Sequence, residues 1–183
     1  MSRFTWNEIK QNNIKTTALF IVFFGVIAAI STLIGILMNS LALGWTIGLI
    51  LFIGYGLFAY YRGSNMALSL NNAEPAPENE YRQLHNIVEE LSIAASLPKP
   101  DVYIIQDDAP NAFATGMSPD NSAVAVTTGL LQRMNRDELS GVIAHELAHI
   151  DSRDTKTMLI AGVLVGSIII LTDILSPASL SGG

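Results

Sequence analysis

The sequence predicts an α+β protein: a helical hairpin long enough to span a membrane, then a small unit of helix, short sheet and helix. Three observations predict it. No Asp, Glu, Lys or Arg occurs between Lys15 and Arg62, a run of 46 residues. Residues 80–157 alternate between helical periodicity and short stretches that read as strands. Residues 145–149 read His-Glu-Leu-Ala-His, a spacing of two histidines that has chemical meaning on a helix.

The uncharged run is far longer than the ~20 residues that cross a bilayer once. Asn39-Ser40 interrupts it near its middle. It therefore divides into two spans, about 17–38 and 41–61, within a membrane hairpin of residues 1–62. The alternative, a hairpin buried in a soluble protein, fits this composition poorly. The first span is too long for a signal-peptide core and lacks a small-residue cleavage site after it, which marks a retained anchor. Arg3, Lys10 and Lys15 precede it, Arg62 follows the second span, and the turn between is uncharged. The positive-inside rule then puts the N-terminus and everything after Arg62 in the cytoplasm. Trp45 and Tyr60-Tyr61 suit the membrane interfaces. The absence of Cys fits a reducing compartment, and the net charge of -6 argues against nucleic acid as a partner.

Residues 63–79 are polar and contain prolines, and read as a linker. Residues 80–96 then follow helical periodicity through Tyr81, Leu84, Ile87, Val88, Leu91 and Ala95. His85 sits among polar neighbours and reads as a surface histidine. Leu97-Pro98-Lys99-Pro100 stops the helix. Residues 102–106, 111–115 and 122–128 read as strands, with 116–121 as a hairpin loop between the last two. Residues 129–133 start a short helix or turn. Beyond the polar cluster 151–156, residues 158–175 are apolar except for Asp173 and read as a third span; a buried soluble helix is the alternative. Residues 176–183 read as a tail.

The histidine pair carries the chemistry. Four helical residues advance about 400°, so both imidazoles project from adjacent turns to one side. Two neutral ring nitrogens there can hold one Zn²⁺, and the Glu between them can take the proton of an attacking water. From the composition, a chance match is expected about 0.2% of the time. The flanks support a helix: Asn135 with Glu138 resembles a capping box. Leu139, Val142, Ile143, Leu147 and Ile150 form an apolar arc, and Glu146 falls inside or beside it. A carboxylate so placed needs a partner, and a metal beside it makes the placement sensible. The plainer alternative is a salt-bridged Glu between two surface histidines. Gly141, one turn before His145, costs about 1 kcal/mol against Ala. Either the approach of another backbone or a substrate, or tight packing, explains it.

The resemblance extends beyond one motif. Pro110-Asn111-Ala112-Phe113-Ala114-Thr115-Gly116, then Val124-Ala125-Val126-Thr127-Thr128-Gly129-Leu130-Leu131, then Asp137-Glu138-Leu139 and His145-Glu146-Leu147-Ala148-His149 occur in order. Over residues 15–175 the chain resembles the HtpX family of integral-membrane zinc metallopeptidases, relatives of the CAAX prenyl endopeptidases. The resemblance implies a zincin-type unit in residues 80–157, with His145 and His149 as zinc ligands and Glu146 as general base. It implies that Asn111, Ala112, Phe113 and Ala114 line the cleft, where an extended substrate adds as a further strand; an ordinary core-building strand is the alternative. It implies that Asp154, five residues after His149, supports the metal ligands or anchors the helix; a solvated charge beside the membrane is the alternative. The implied activity is hydrolysis of misfolded or damaged membrane proteins at the cytoplasmic face of a bacterial or archaeal plasma membrane. The partners are then polypeptides and the lipid bilayer.

One departure matters. The family takes its third zinc ligand from a Glu on a later helix, and no Glu follows Glu146. Asp151 and Asp154 are too near in sequence to close the site from the same helix, and Asp173 lies at the end of the third span. Thr155 stands where a metzincin would place a third His. The expectation is an N-terminal portion of a longer enzyme, inactive by itself. Two rival functions remain. An intramembrane zinc protease would carry the motif within a span, which the polar flanks 135–137 and 151–156 disfavour. A non-catalytic membrane adaptor with a metallopeptidase fold would need no third ligand.

Overall fold

A computed structural model describes residues 3–162 and residue 165. The described residues divide into two compact units, residues 15–61 with those from 160 onward, and residues 3–14 with 62–159.

The first unit is built on the apolar stretches of two helices, α1 (Arg3–Leu37) and α2 (Leu41–Leu70), whose ends at residues 3–14 and 62–70 belong to the second unit. Asn39, in the left-handed region at φ 52°, turns the chain between them, and Ser40 N–H donates to the Gly35 carbonyl at 2.9 Å. Small residues let the helices touch. A Cβ on Gly44 would strike the Ser31 carbonyl, and one on Gly48 would strike the Ser31 hydroxyl. Further from the turn, Phe23 packs on Phe52 and Tyr55 with ring centroids 6.0 and 5.2 Å apart. The hydroxyls of Ser31 and Thr32 bond back to the carbonyls four residues earlier, at 2.6 and 2.8 Å, so neither is bare in an apolar helix. Both helices are long and apolar enough to cross a membrane. Only 17% and 11% of their most apolar stretches are buried, which separates them from the interior helices of a soluble core. Of the third span expected at 158–175, residues 163–164 and 166–175 lie outside the described residues, as does all of the tail at 176–183.

The second unit packs two helices on a four-stranded sheet. Its elements are β1 (Ala73–Pro75), α3 (Arg82–Ala95), β2 (Asp101–Ile105), β3 (Ala112–Ser118), β4 (Asn121–Thr127), α4 (Thr128–Arg133) and α5 (Arg136–Asp151). The sheet order is β1-β2-β4-β3, with β2 and β4 parallel and both outer strands antiparallel. The period-2 alternation of β4 decides its two faces. Val124 and Val126 join Leu84, Ile87 and Val88 of α3 and Leu139, Ile143, Leu147 and Ile150 of α5 in the main core. Ala123 and Ala125 face the other way, against Leu68 and Ile105. Both faces of β4 are thus covered, and β3 is left as an edge strand.

Residues 63–79 are not a linker without structure. α2 continues through them to Leu70, and β1 follows, pairing Ala73 with Ile105. Gly63 does not break the helix; a Cβ there would lie 2.5 Å from the Leu159 side chain, so it serves close packing. Pro75 is tolerated because β1 is at an edge. The loop expected at 116–121 is also shorter. β3 runs to Ser118 through a bulge at Gly116, whose φ of +151° and contacts with Asn121 and Ser122 exclude a side chain. His85 is half-buried rather than a plain surface residue, with Nε2 2.9 Å from the Ala76 carbonyl.

Candidate metal centre

α5 presents the site, and its start is fixed by its own sequence. The Asn135 side chain accepts from the Asp137 and Glu138 amides at 2.9 and 3.0 Å, and Glu138 accepts from the Asn135 amide at 2.9 Å. Leu139, Ile143, Leu147 and Ile150 bury one face against the sheet and α3. That fixes the rotation of the helix and puts His145 on the exposed side and Glu146 and His149 at the half-buried flank.

The two imidazoles converge. His145 Nε2 and His149 Nε2 are 3.2 Å apart, with the rings near perpendicular at 85°. Two nitrogens bound to one tetrahedral zinc at about 2.0–2.1 Å would sit about 3.3 Å apart. The pair therefore fits a zinc ion as two of its ligands. His149 is oriented from behind: its Nδ1 lies 3.1 Å from Asp154 Oδ2. Donation from Nδ1–H to that carboxylate leaves the Nε2 lone pair free for a metal. Asp154 reaches this point because the chain turns sharply after α5. Ser152 caps the helix, Arg153 adopts a left-handed φ of 59°, and residues 154–162 are helical again.

Glu146 points to the sheet. Its Oε2 accepts a hydrogen bond from the Ala114 amide at 2.9 Å. Ala114 pairs with Val124 on β4, so the amide that meets Glu146 is one directed off the sheet edge. Thr155 Oγ1 donates to the Gly116 carbonyl on the same edge at 3.2 Å. The start of the edge strand is held by Thr127, whose hydroxyl accepts from the Asn111 amide at 2.9 Å and contacts the Ala109 and Asn111 carbonyls. The Asn111 side chain accepts from the Ala112 amide at 2.9 Å. Phe113 packs beside Ala125 on the sheet face away from α5. The structure thus brings His145, Glu146, His149 and Asp154 together with the outer edge of Ala112 and Ala114. Among the described residues, no third His, Cys, Asp or Glu joins the pair to complete a metal site. A Cβ at Gly141 would meet nothing within 4 Å, so among the described residues neither tight packing nor the approach of another backbone accounts for that glycine.

Sequence reasoning missed Asn12, Thr127, Thr155 and Thr157. All four are buried polar residues with long-range bonds, and nothing local in the sequence marks such contacts.

Residues 78–181 match the family model described as Peptidase family M48. A "Protease HtpX homolog" of Thermoanaerobacter pseudethanolicus is 46% identical over 96% of this chain and 59% of its own length. Another, from Streptococcus agalactiae, is 41% identical over 92% of this chain and 57% of its own. The chain therefore spans less than two thirds of the length of these curated relatives. The crystal structure of S. mikatae Ste24p aligns with a TM-score of 0.49 at 21% identity, over 92% of this chain and 38% of that one. The family match covers more than half of the sequence, including the histidine pair, the glutamate and the strand beside them: the chain belongs to peptidase family M48.

Proposed function

We propose that the chain is the anchored, zinc-binding part of a membrane metalloendopeptidase that hydrolyses misfolded or damaged membrane proteins at the cytoplasmic face of the plasma membrane. The observation that carries this reading is the convergence of His145 Nε2 and His149 Nε2 at 3.2 Å beside a glutamate held on a sheet edge. His145 and His149 hold the zinc; the third donor is a carboxylate outside the described residues. When bound, the zinc supplies a Lewis acid that activates water and polarises the scissile carbonyl.

The remaining steps belong to the chain's own groups. Glu146 accepts the proton of the attacking water and passes it to the leaving amine. The Ala114 amide fixes Oε2 of that carboxylate, which leaves the other oxygen for proton transfer. An extended polypeptide adds along this edge by donating to the outward carbonyls of Ala112 and Ala114, since the Ala112 and Ala114 amides are held by the Asn111 and Glu146 side chains. Backbone pairing ignores side-chain identity, which suits a protease of damaged proteins. The two apolar helices tie the unit to the bilayer and so to membrane-protein substrates.

The test is cleavage of an unfolded model polypeptide by the full-length protein in detergent. Activity is expected to vanish with a zinc chelator and return with added Zn²⁺. Cleavage that survives complete metal removal rules the reading out. The adaptor reading is favoured by the incomplete ligand set among the described residues; it predicts polypeptide binding without any cleavage. The orientation rests on Arg3, Lys10, Lys15 and Arg62 at the two ends of the uncharged run. A reporter fused after Arg62 is expected to behave as cytoplasmic, and one active only on the outer side refutes that face.

A further inference from the structure

Asn12 lies in α1, before the uncharged run begins, yet it is 7% exposed and belongs to the same compact unit as α5. Its side-chain amide donates to the Ser152 carbonyl at 3.2 Å, across 140 residues of sequence. The main-chain carbonyl of Asn12 accepts from the Thr157 hydroxyl at 3.2 Å. Both bonds are buried. Ser152 and Thr157 bracket the turn that redirects the chain after α5, and Asp154 sits inside that bracket against His149.

The physical consequence follows from what each bond satisfies. The last carbonyls of a helix and its cap have no partner within the helix. In a buried turn such a group must find a partner or remain stripped of water and unsatisfied. Asn12 supplies the partner for Ser152 and takes the donor of Thr157, so one residue fixes both ends of a six-residue segment. Thr155, between them, bonds the edge strand at Gly116. The segment therefore has little freedom, and Asp154 is presented to His149 Nδ1 in one position.

We infer that Asn12 is a positioning residue of the metal centre: by clamping Ser152 and Thr157 it holds Asp154 against the zinc ligand His149. The segment ahead of the first apolar span is on this view part of the support of the site, not only a leader into the membrane. The inference rests on the zinc reading for its metal readout alone.

Two readouts on the full-length protein test it. The first is Co²⁺ or Zn²⁺ affinity by chelator competition. Asn12→Leu is expected to weaken binding about tenfold to a hundredfold, the range for residues that orient a metal ligand. Asp154→Ala should do the same, and the double variant should be no weaker than Asp154→Ala alone, because Asn12 acts through Asp154. Independent, additive losses overturn the inference, since a merely structural role produces them. The second readout needs no metal: the His149 Nδ1–H resonance in ¹⁵N-histidine-labelled apoprotein. It should be sharp and downfield in the wild type, lost in Asp154→Ala, and lost or broadened in Asn12→Leu. An unchanged resonance in Asn12→Leu overturns the inference. If Asn12→Leu does not fold, Thr157→Val removes the second bond with little change in shape and carries the same expectations. A wild type that holds no metal refutes the zinc reading, while the imidazole resonance still decides the role of Asn12.

Discussion

Glu146→Gln is expected to leave zinc content and fold intact and to lower peptide hydrolysis by about 10²–10⁴, the usual worth of a positioned general acid–base. The Ala114 amide makes this substitution unusually clean. It donates to Oε2 of Glu146 at 2.9 Å, and a carboxamide oxygen can accept the same bond. The side-chain NH₂ is then the group left facing the place where the base acts, and it has no lone pair to take a proton. The substituted side chain keeps its place on the strand edge and loses only its basicity. Glu146→Ala loses the strand contact as well, yet should be slower than the Gln variant by no more than a few fold. Both variants should still bind an unfolded polypeptide. Turnover of the Gln variant above about a tenth of wild type would mean that another group is the base.

The parts of this fold that the sequence makes legible are those set by local rules. The capping box at Asn135 and Glu138 forms as the spacing predicts, and α5 starts at Arg136. The turn at Asn39-Ser40 separates two helices where the polar pair interrupts the apolar run. β2, β3 and β4 appear within a few residues of the stretches that alternate or run apolar. The histidine pair is legible for the same reason, since four residues of helix decide where both rings point. What escaped is long-range. β1 is three residues long and contains Pro75, so it has no periodicity to read; pairing with β2 makes it a strand. α2 runs on past Arg62 because Leu68 is buried against Ala123 and Ala125, a reward invisible from the polar composition around it. Asn12 meets Ser152 across 140 residues. The bond from Ala114 to Glu146 is intermediate. The strand and the glutamate were each legible, but their meeting depends on the sheet order, which puts β3 at the edge.

His149→Ala is expected to abolish stoichiometric zinc binding by the purified full-length protein, and His145→Ala to do nearly the same. A catalytic zinc normally has three protein ligands and one open position. Loss of one ligand leaves two, and affinity should fall by at least about a thousandfold, beyond the 10–100-fold usual for a residue behind the ligand. The geometry grades the series further. His149 is held by Asp154 at 3.1 Å on its Nδ1 side, with both side chains largely withdrawn from solvent at 33% and 26% exposure. His145 is exposed, and its Nε2 faces the Nε2 of His149. His149 therefore comes pre-oriented, and removing it forfeits both a ligand and the half-buried partner of Asp154. Asp154→Ala keeps both imidazoles but frees the His149 ring and its tautomer, so it should fall between wild type and the two histidine variants. The measurement is zinc per protein after dialysis against a graded chelator, run on all four proteins. The order expected is wild type, then Asp154→Ala, then His145→Ala, then His149→Ala. Full zinc occupancy in either histidine variant would remove the pair from the metal site and leave its 3.2 Å approach as an ordinary hydrogen bond between two imidazoles.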